Sequence, residues 1–191
     1  MSLKERIEQS RKKMKECPIA LRPEVLMLPQ IPKPLHGRAP RVILGSKWWN
    51  ETREAAYKST NYHCIACGVS KARARGPKHL EAHEVYRTDY NVGRLYYLEA
   101  VPLCNYCHNY IHQGRLQSLV DNHKISYQRF VAIIQHGDNT LAQAGMLRPP
   151  MYEGPLVEWS EWRLVLFGKM YKSKFKDEAH WLRHFSKLNE E

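Results

Sequence analysis

Leu103-Cys104-Asn105-Tyr106-Cys107-His108-Asn109-Tyr110-Ile111-His112 places two cysteines and two histidines within one short stretch. A C-x-x-C turn offers two sulfurs to a single ion. The residues that follow read as a helix from about Asn105 to Gln113, stopped by Gly114. On such a helix His108 and His112 are i and i+4 and share a face. Cys107 is one residue, about 100°, around from His108. Sulfurs and imidazoles can therefore serve different ions.

A second pair lies upstream in Cys64-Ile65-Ala66-Cys67-Gly68. Two C-x-x-C turns supply the four thiolates of a closed structural zinc site: Cys64, Cys67, Cys104 and Cys107. The intervening residues 68–103 are too many for a simple zinc finger. The expectation is a staple between two distant turns with a hairpin inserted. Leu80 to Tyr86 and Arg94 to Val101 read as its strands, with Asn91 and Gly93 near the turn. His83, in Leu80-Glu81-Ala82-His83-Glu84-Val85-Tyr86, is the natural third partner of His108 and His112. Three imidazoles leave coordination positions open for water or a phosphate oxygen. Cys17 stands alone and reads as an ordinary thiol. His36, His63, His79, His123, His136, His180 and His184 read as ordinary side chains.

The 191 residues carry 30 Lys and Arg against 19 Asp and Glu, a net charge of +11. That excess favours an anionic partner, and nucleic acid is the commonest. An apolar share of 43% fits a globular chain rather than a disordered one. No stretch reaches the ~18 consecutive apolar residues of a membrane span. The charged segment Met1 to Met14 does not resemble a signal peptide. The expectation is a cytoplasmic protein, with no membrane partner, where paired cysteines point to metal rather than disulfides.

Outside this core, Leu3 to Lys15 reads as a basic helix. Six prolines between Pro18 and Pro40 argue for an extended arm, whose Val25, Leu26, Met27, Leu28 and Ile31 lie against a surface. Ser46 can cap a helix to about Thr60, and Ser126 another that ends at His136-Gly137. A shorter helix follows from Asn139 to Ala144. Glu161 to Tyr171 reads as a strand or hairpin, and Asp177 to Leu188 as an amphipathic helix. The expected organisation is an arm over 1–45, a zinc-containing core with helical extension over 46–148, and a strand-helix extension over 149–191.

Taken together, C-x-x-C-G, L-E-A-H-E-V-Y and L-C-N-Y-C-H-x-x-x-H over about residues 46–116 resemble the HNH (ββα-metal) endonuclease family. The resemblance implies an α+β fold: a ββα-metal core stapled by the four-cysteine zinc, with helical and small α/β extensions. It also implies one catalytic divalent ion and hydrolysis of phosphodiester bonds. By the same resemblance His83, His108 and His112 fall on the ligands of the catalytic ion. The family usually has a histidine as general base after the first ligand; here that residue is Glu84. The central asparagine of the family is replaced by Glu99. Glu84 can act as the base if burial or a neighbouring carboxylate raises it from ~4.3. Alternatively it is a ligand, or the site has lost cleavage. His79 and Tyr86 are weaker candidates for the base.

Imidazoles suit zinc, nickel or manganese, while magnesium could complete its sphere with phosphate and water. Lys71, Arg73, Arg75 and Lys78 form a loop able to hold phosphates without reading bases. The basic cluster Lys169, Lys172, Lys174 and Lys176 reads as solvated surface. The functional expectation is a metal-dependent endonuclease acting on nucleic acid, with DNA the expected polymer. The competing expectation is a catalytically impaired, HNH-derived binding or adaptor protein.

Overall fold

The computed structural model describes residues 4, 5, 8, 19–74, 80–147 and 157–189. Among them the chain is α+β, with five α-helices and one four-stranded sheet of order β1-β2-β3-β4. The strands are β1 (Leu80–Asp89), β2 (Arg94–Cys104), β3 (Arg163–Leu166) and β4 (Lys169–Lys172). The helices are α1 (Pro40–Ser59, broken by a kink at non-helical Gly45, φ 85°, ψ 173°), α2 (Asn105–Ile111), α3 (Gln113–Asp121), α4 (Tyr127–Gln143) and α5 (Glu178–Asn189). No helix among the described residues is long and apolar enough to cross a membrane.

Two compact units divide the chain. One comprises residues 1–28, 53–83 and 100–150; the other comprises 29–52, 84–99 and 151–191. In the first, the proline-rich segment is not simply extended. Pro23–Met27 forms a 3-10 turn, and Val25 and Leu26 are buried in this unit's core with Ile65, Leu103, Tyr110, Leu116, Ile133 and Leu141. Proline at the start of a turn loses no needed N–H, which reconciles its density with local structure. The expected basic helix at Leu3 to Lys15 lies mostly outside the described residues, as does Cys17.

Two glycines read as helix stops are not stops. The first helix after Cys104 ends at Ile111, where His112 turns out of helical geometry (φ −89°, ψ 60°). Gly114 falls in the first turn of α3. Gly137 lies in the middle of α4, which runs unbroken from Tyr127 to Gln143, with Ser126 Oγ capping the Arg129 N–H at 3.2 Å. A Cβ on Gly137 would run into the Tyr110 ring, so this glycine allows α2 and α4 to pack closely. The two glycines therefore respond oppositely to alanine. Gly137→Ala should destabilise by about 1–3 kcal/mol through overpacking. Gly114→Ala, where a Cβ meets nothing, should stabilise by ~0.5–1 kcal/mol. Chemical denaturation of both variants checks the signs.

In the second unit, the distal part of the β1–β2 hairpin turns over residues 90–93, with Gly93 at φ 65° and Asn91 N–H bonded to Asp89 Oδ1 at 3.1 Å. β2 pairs in parallel with β3 from Arg94↔Arg163 to Tyr96↔Val165. Of the strand or hairpin expected over Glu161 to Tyr171, the structure forms the hairpin, β3 and β4 joined through Phe167-Gly168, both at positive φ as in a type I′ turn. Leu35, Tyr86, Leu95, Trp162 and Leu164 make the core.

The C-terminal helix docks in this unit through His36. The Trp181 indole donates to His36 Nδ1 at 3.1 Å, and His36 Nε2–H donates to the Ile31 carbonyl at 2.9 Å. Both ring nitrogens are committed, and only the neutral ring fits. Burial, against the opposing bond to Ile31 and with help from Lys33, lowers the His36 pKa. The unfolded chain thus takes up the proton first, near pH ~6.5. Docking of α5 should be complete above that pH and weaken as pH falls from it toward the lower folded value. Trp181 fluorescence against pH checks this; a flat profile from neutral to mildly acidic pH removes the device.

Candidate metal centres

The first centre begins with two backbone turns. Cys64 N–H bonds the Val69 carbonyl at 2.9 Å and Gly68 N–H bonds the Cys64 carbonyl at 2.8 Å, closing a tight knuckle with Gly68 at φ 72°. The Ile65 N–H reaches the Pro102 carbonyl at 2.9 Å, tying this knuckle to the end of β2. There Cys104 is the N-cap of α2, its sulfur accepting the Cys107 N–H at 3.5 Å.

The four cysteines come together as the spacing predicts. Their ligand atoms all lie within 4.8 Å of one another, at metal-binding distance. Cys67 Sγ and Cys104 Sγ are 3.8 Å apart. Four sulfurs ~2.3 Å from one zinc ion stand ~3.8 Å apart along a tetrahedral edge. Hydrogen bonds from Cys107, Cys64 and Cys67 hold the Cys104 thiol far below its ordinary range. Their counterpart with Cys104 pushes the Cys67 and Cys107 thiols well up. Four adjacent sulfurs cannot all ionise without a cation, so the donor set fits zinc.

His136 was not separable from ordinary histidines by sequence. On α4, its Nε2 lies 3.3 Å from Cys107 Sγ and 4.0 Å from Cys104 Sγ. It thus adds an imidazole edge to the sulfur cluster. No spacing rule reaches from residue 107 to residue 136; only the close packing of α2 on α4 creates the contact.

The second centre joins His83 of β1 with His108 of α2 and His112 at the helix break. Their ligand atoms also lie within 4.8 Å of one another. Ring centroids are 5.4 Å apart for His83–His108, 5.0 Å for His83–His112 and 4.7 Å for His108–His112. Although His112 has left the helix, its N–H still bonds the His108 carbonyl at 3.3 Å, which preserves the i,i+4 approach. His83 is buried and the other two are half-buried. Three imidazoles at this separation suit a borderline divalent ion with positions left for oxygen ligands.

The carboxylate of Glu81 stands beside the trio. Side chains alternate along a strand, so Glu81 and His83 share a face of β1. Glu81 Oε2 is 3.3 Å from His108 Nδ1. Its other oxygen accepts from Asn105 Nδ2 at 3.1 Å, and Asn105 Oδ1 accepts from Arg129 Nη2 at 3.2 Å. None of these three residues was singled out by sequence.

Glu84 is described in the other unit. It is buried, with Arg41 Nε 4.0 Å from Oε1. Burial, followed by the charge of Glu84, pushes the Tyr86 phenol up, and the same order of causes raises Tyr97 to about 12. Both phenols therefore keep their protons at neutral pH. Of the loop residues, Lys71 and Arg73 are exposed, and Lys71 Nζ lies over the Tyr62 ring at 5.5 Å. Arg75, Lys78 and His79 lie outside the described residues.

No family model, curated relative or solved structure matches this chain. The chemistry of the two donor sets is therefore what bears on function.

Proposed function

We propose that this chain is a metal-dependent endonuclease with an HNH-type ββα-metal core, formed by β1, β2 and α2. The observation that carries the reading is the convergence of His83, His108 and His112 beside a separate four-cysteine cluster. One centre staples the fold, and the other leaves ligand positions open. A divalent ion held by the three imidazoles would polarise a phosphodiester and ease deprotonation of water.

The chain's own groups have distinct parts in this reading. His83, His108 and His112 hold the ion. Glu84, which directly follows His83, is the proposed base that takes the proton of the attacking water. Lys71, Arg73, Arg75 and Lys78 hold phosphates. The net charge of +11 supports a polyanionic substrate, with DNA the proposed one.

A second reading is a nuclease-derived binding module without cleavage. It is favoured by one observation: the carboxylate at the base position is paired with Arg41. The deciding assay incubates the full chain with plasmid DNA, single-stranded DNA and RNA in magnesium, manganese, nickel or zinc. The nuclease reading expects divalent-dependent cleavage that disappears in His83→Ala. Salt-dependent DNA binding with no cleavage in any ion would instead establish the binding module.

A further inference from the structure

His108 Nδ1 is shielded from solvent and makes no hydrogen bond. Its polar neighbour is Glu81 Oε2, at the ion-pair separation of 3.3 Å. A carboxylate beside the second nitrogen of a metal-ligating histidine is a recurring arrangement, because by accepting that N–H it fixes the tautomer and raises the basicity of the opposite nitrogen. We propose that Glu81 is the positioning residue of the histidine centre: it holds His108 as the Nδ1–H tautomer, with the Nε2 lone pair left for the ion. Asn105 and Arg129 hold Glu81 in turn. This inference rests on the three histidines being an ion site and does not require cleavage.

The order of the relay follows from donor and acceptor capacity. Arg129 can only donate, so it fixes Asn105 Oδ1 as the acceptor and turns Asn105 Nδ2 toward Glu81. With that oxygen of Glu81 engaged, its other oxygen is left for His108. One oxygen thus accepts from Asn105 and the other lies beside His108 Nδ1, which suits Glu81 to orientation rather than to taking a proton from water. Each member is placed by a nearby structural device. Ser126 caps the helix that carries Arg129. Cys104 caps the helix that begins with Asn105 and carries His108. β1 places Glu81 two residues from His83, on the same face.

The ion that suits this centre follows as well. A neutral imidazole backed by a carboxylate is a stronger nitrogen donor, which favours zinc, nickel or cobalt over magnesium.

The test uses the full chain with its cysteine-bound zinc retained and the histidine centre stripped. Long-range proton–nitrogen NMR spectra at mildly alkaline pH report the His108 tautomer directly. Wild type should show the Nδ1–H form, and Glu81→Ala should shift it toward the Nε2–H form. Titration with cobalt(II), read by its visible spectrum, should show affinity falling about 10- to 100-fold in Glu81→Ala. Glu81→Gln keeps an acceptor oxygen and should recover part of that loss; Arg129→Gln should show a smaller loss, and Arg129→Lys less still. A wild-type His108 in the Nε2–H form overturns the proposal, even if the variants fail to fold. An unchanged cobalt affinity in folded Glu81→Ala also overturns it. Cobalt binding that depends on Glu81, together with no cleavage of any nucleic acid, leaves this inference standing while the nuclease reading falls.

Discussion

Cys104→Ala should leave the first unit unfolded. Cys104 caps α2, and its sulfur stands within tetrahedral-edge distance of Cys67. Apparent zinc affinities at four-ligand sites correspond to ~10–16 kcal/mol, and where the free ligands are unstructured this is folding free energy. A typical domain has only ~5–15 kcal/mol in hand. Loss of the ion should therefore exceed what the packing of Val25, Leu103, Tyr110 and Ile133 can offset. Cys104→Ser separates the two roles of this residue. A hydroxyl retains an acceptor for the Cys107 N–H but is a poor zinc ligand. Serine should therefore fail nearly as completely as alanine. Metal analysis alongside circular dichroism decides the matter: a folded, zinc-free wild type would remove the staple, and rescue by serine would reduce Cys104 to a helix cap.

The second large effect separates holding the ion from moving the proton. If the chain is the proposed nuclease, His112→Ala, which removes one imidazole of three, should lower cleavage, and excess metal should restore part of it. Glu84→Gln leaves all three imidazoles intact. If Glu84 is the base, cleavage should fall ~100- to 10,000-fold and added metal should not help. Metal and DNA affinity should stay near wild type. Glu84→His places there the histidine usual in HNH nucleases and, under the nuclease reading, should cleave at least as well as wild type if β1 accommodates the ring. Wild-type rates in Glu84→Gln would exclude Glu84 as the base and make His79 the next candidate. Cleavage by Glu84→His but never by wild type would identify the natural chain as a binding module.

The candidate metal ligands were legible because their spacing is a local property. A C-x-x-C turn and an i,i+4 pair are set by backbone geometry alone, so Cys104, Cys107, His108 and His112 could be grouped from one stretch of chain. The helix caps at Ser126 and the turn at Gly93 were readable for the same reason. What surrounds the ligands was not readable. His136 reaches Cys107, and Arg129 reaches Asn105, only once α4 lies against α2. Glu81 was not legible beside Glu84 because the HNH pattern marks the residue after the first histidine, whereas strand alternation favours the residue two before His83. Gly137 shows the opposite error. Glycine in a helical pattern reads as an end, yet here it makes room for Tyr110.

The division of the chain bears on how this protein can be dissected. Each compact unit is assembled from three separated stretches, and the boundary falls within both β1 and β2, at 83/84 and 99/100. No single truncation isolates either unit. A fragment ending after residue 150 would lack β3, β4 and α5, which the second unit needs, while retaining its hairpin segment 84–99 and segment 29–52. Deletion series that map functions by removing one end would therefore report lost folding as though it were lost function. Point substitutions at named side chains are the sound genetic instrument here.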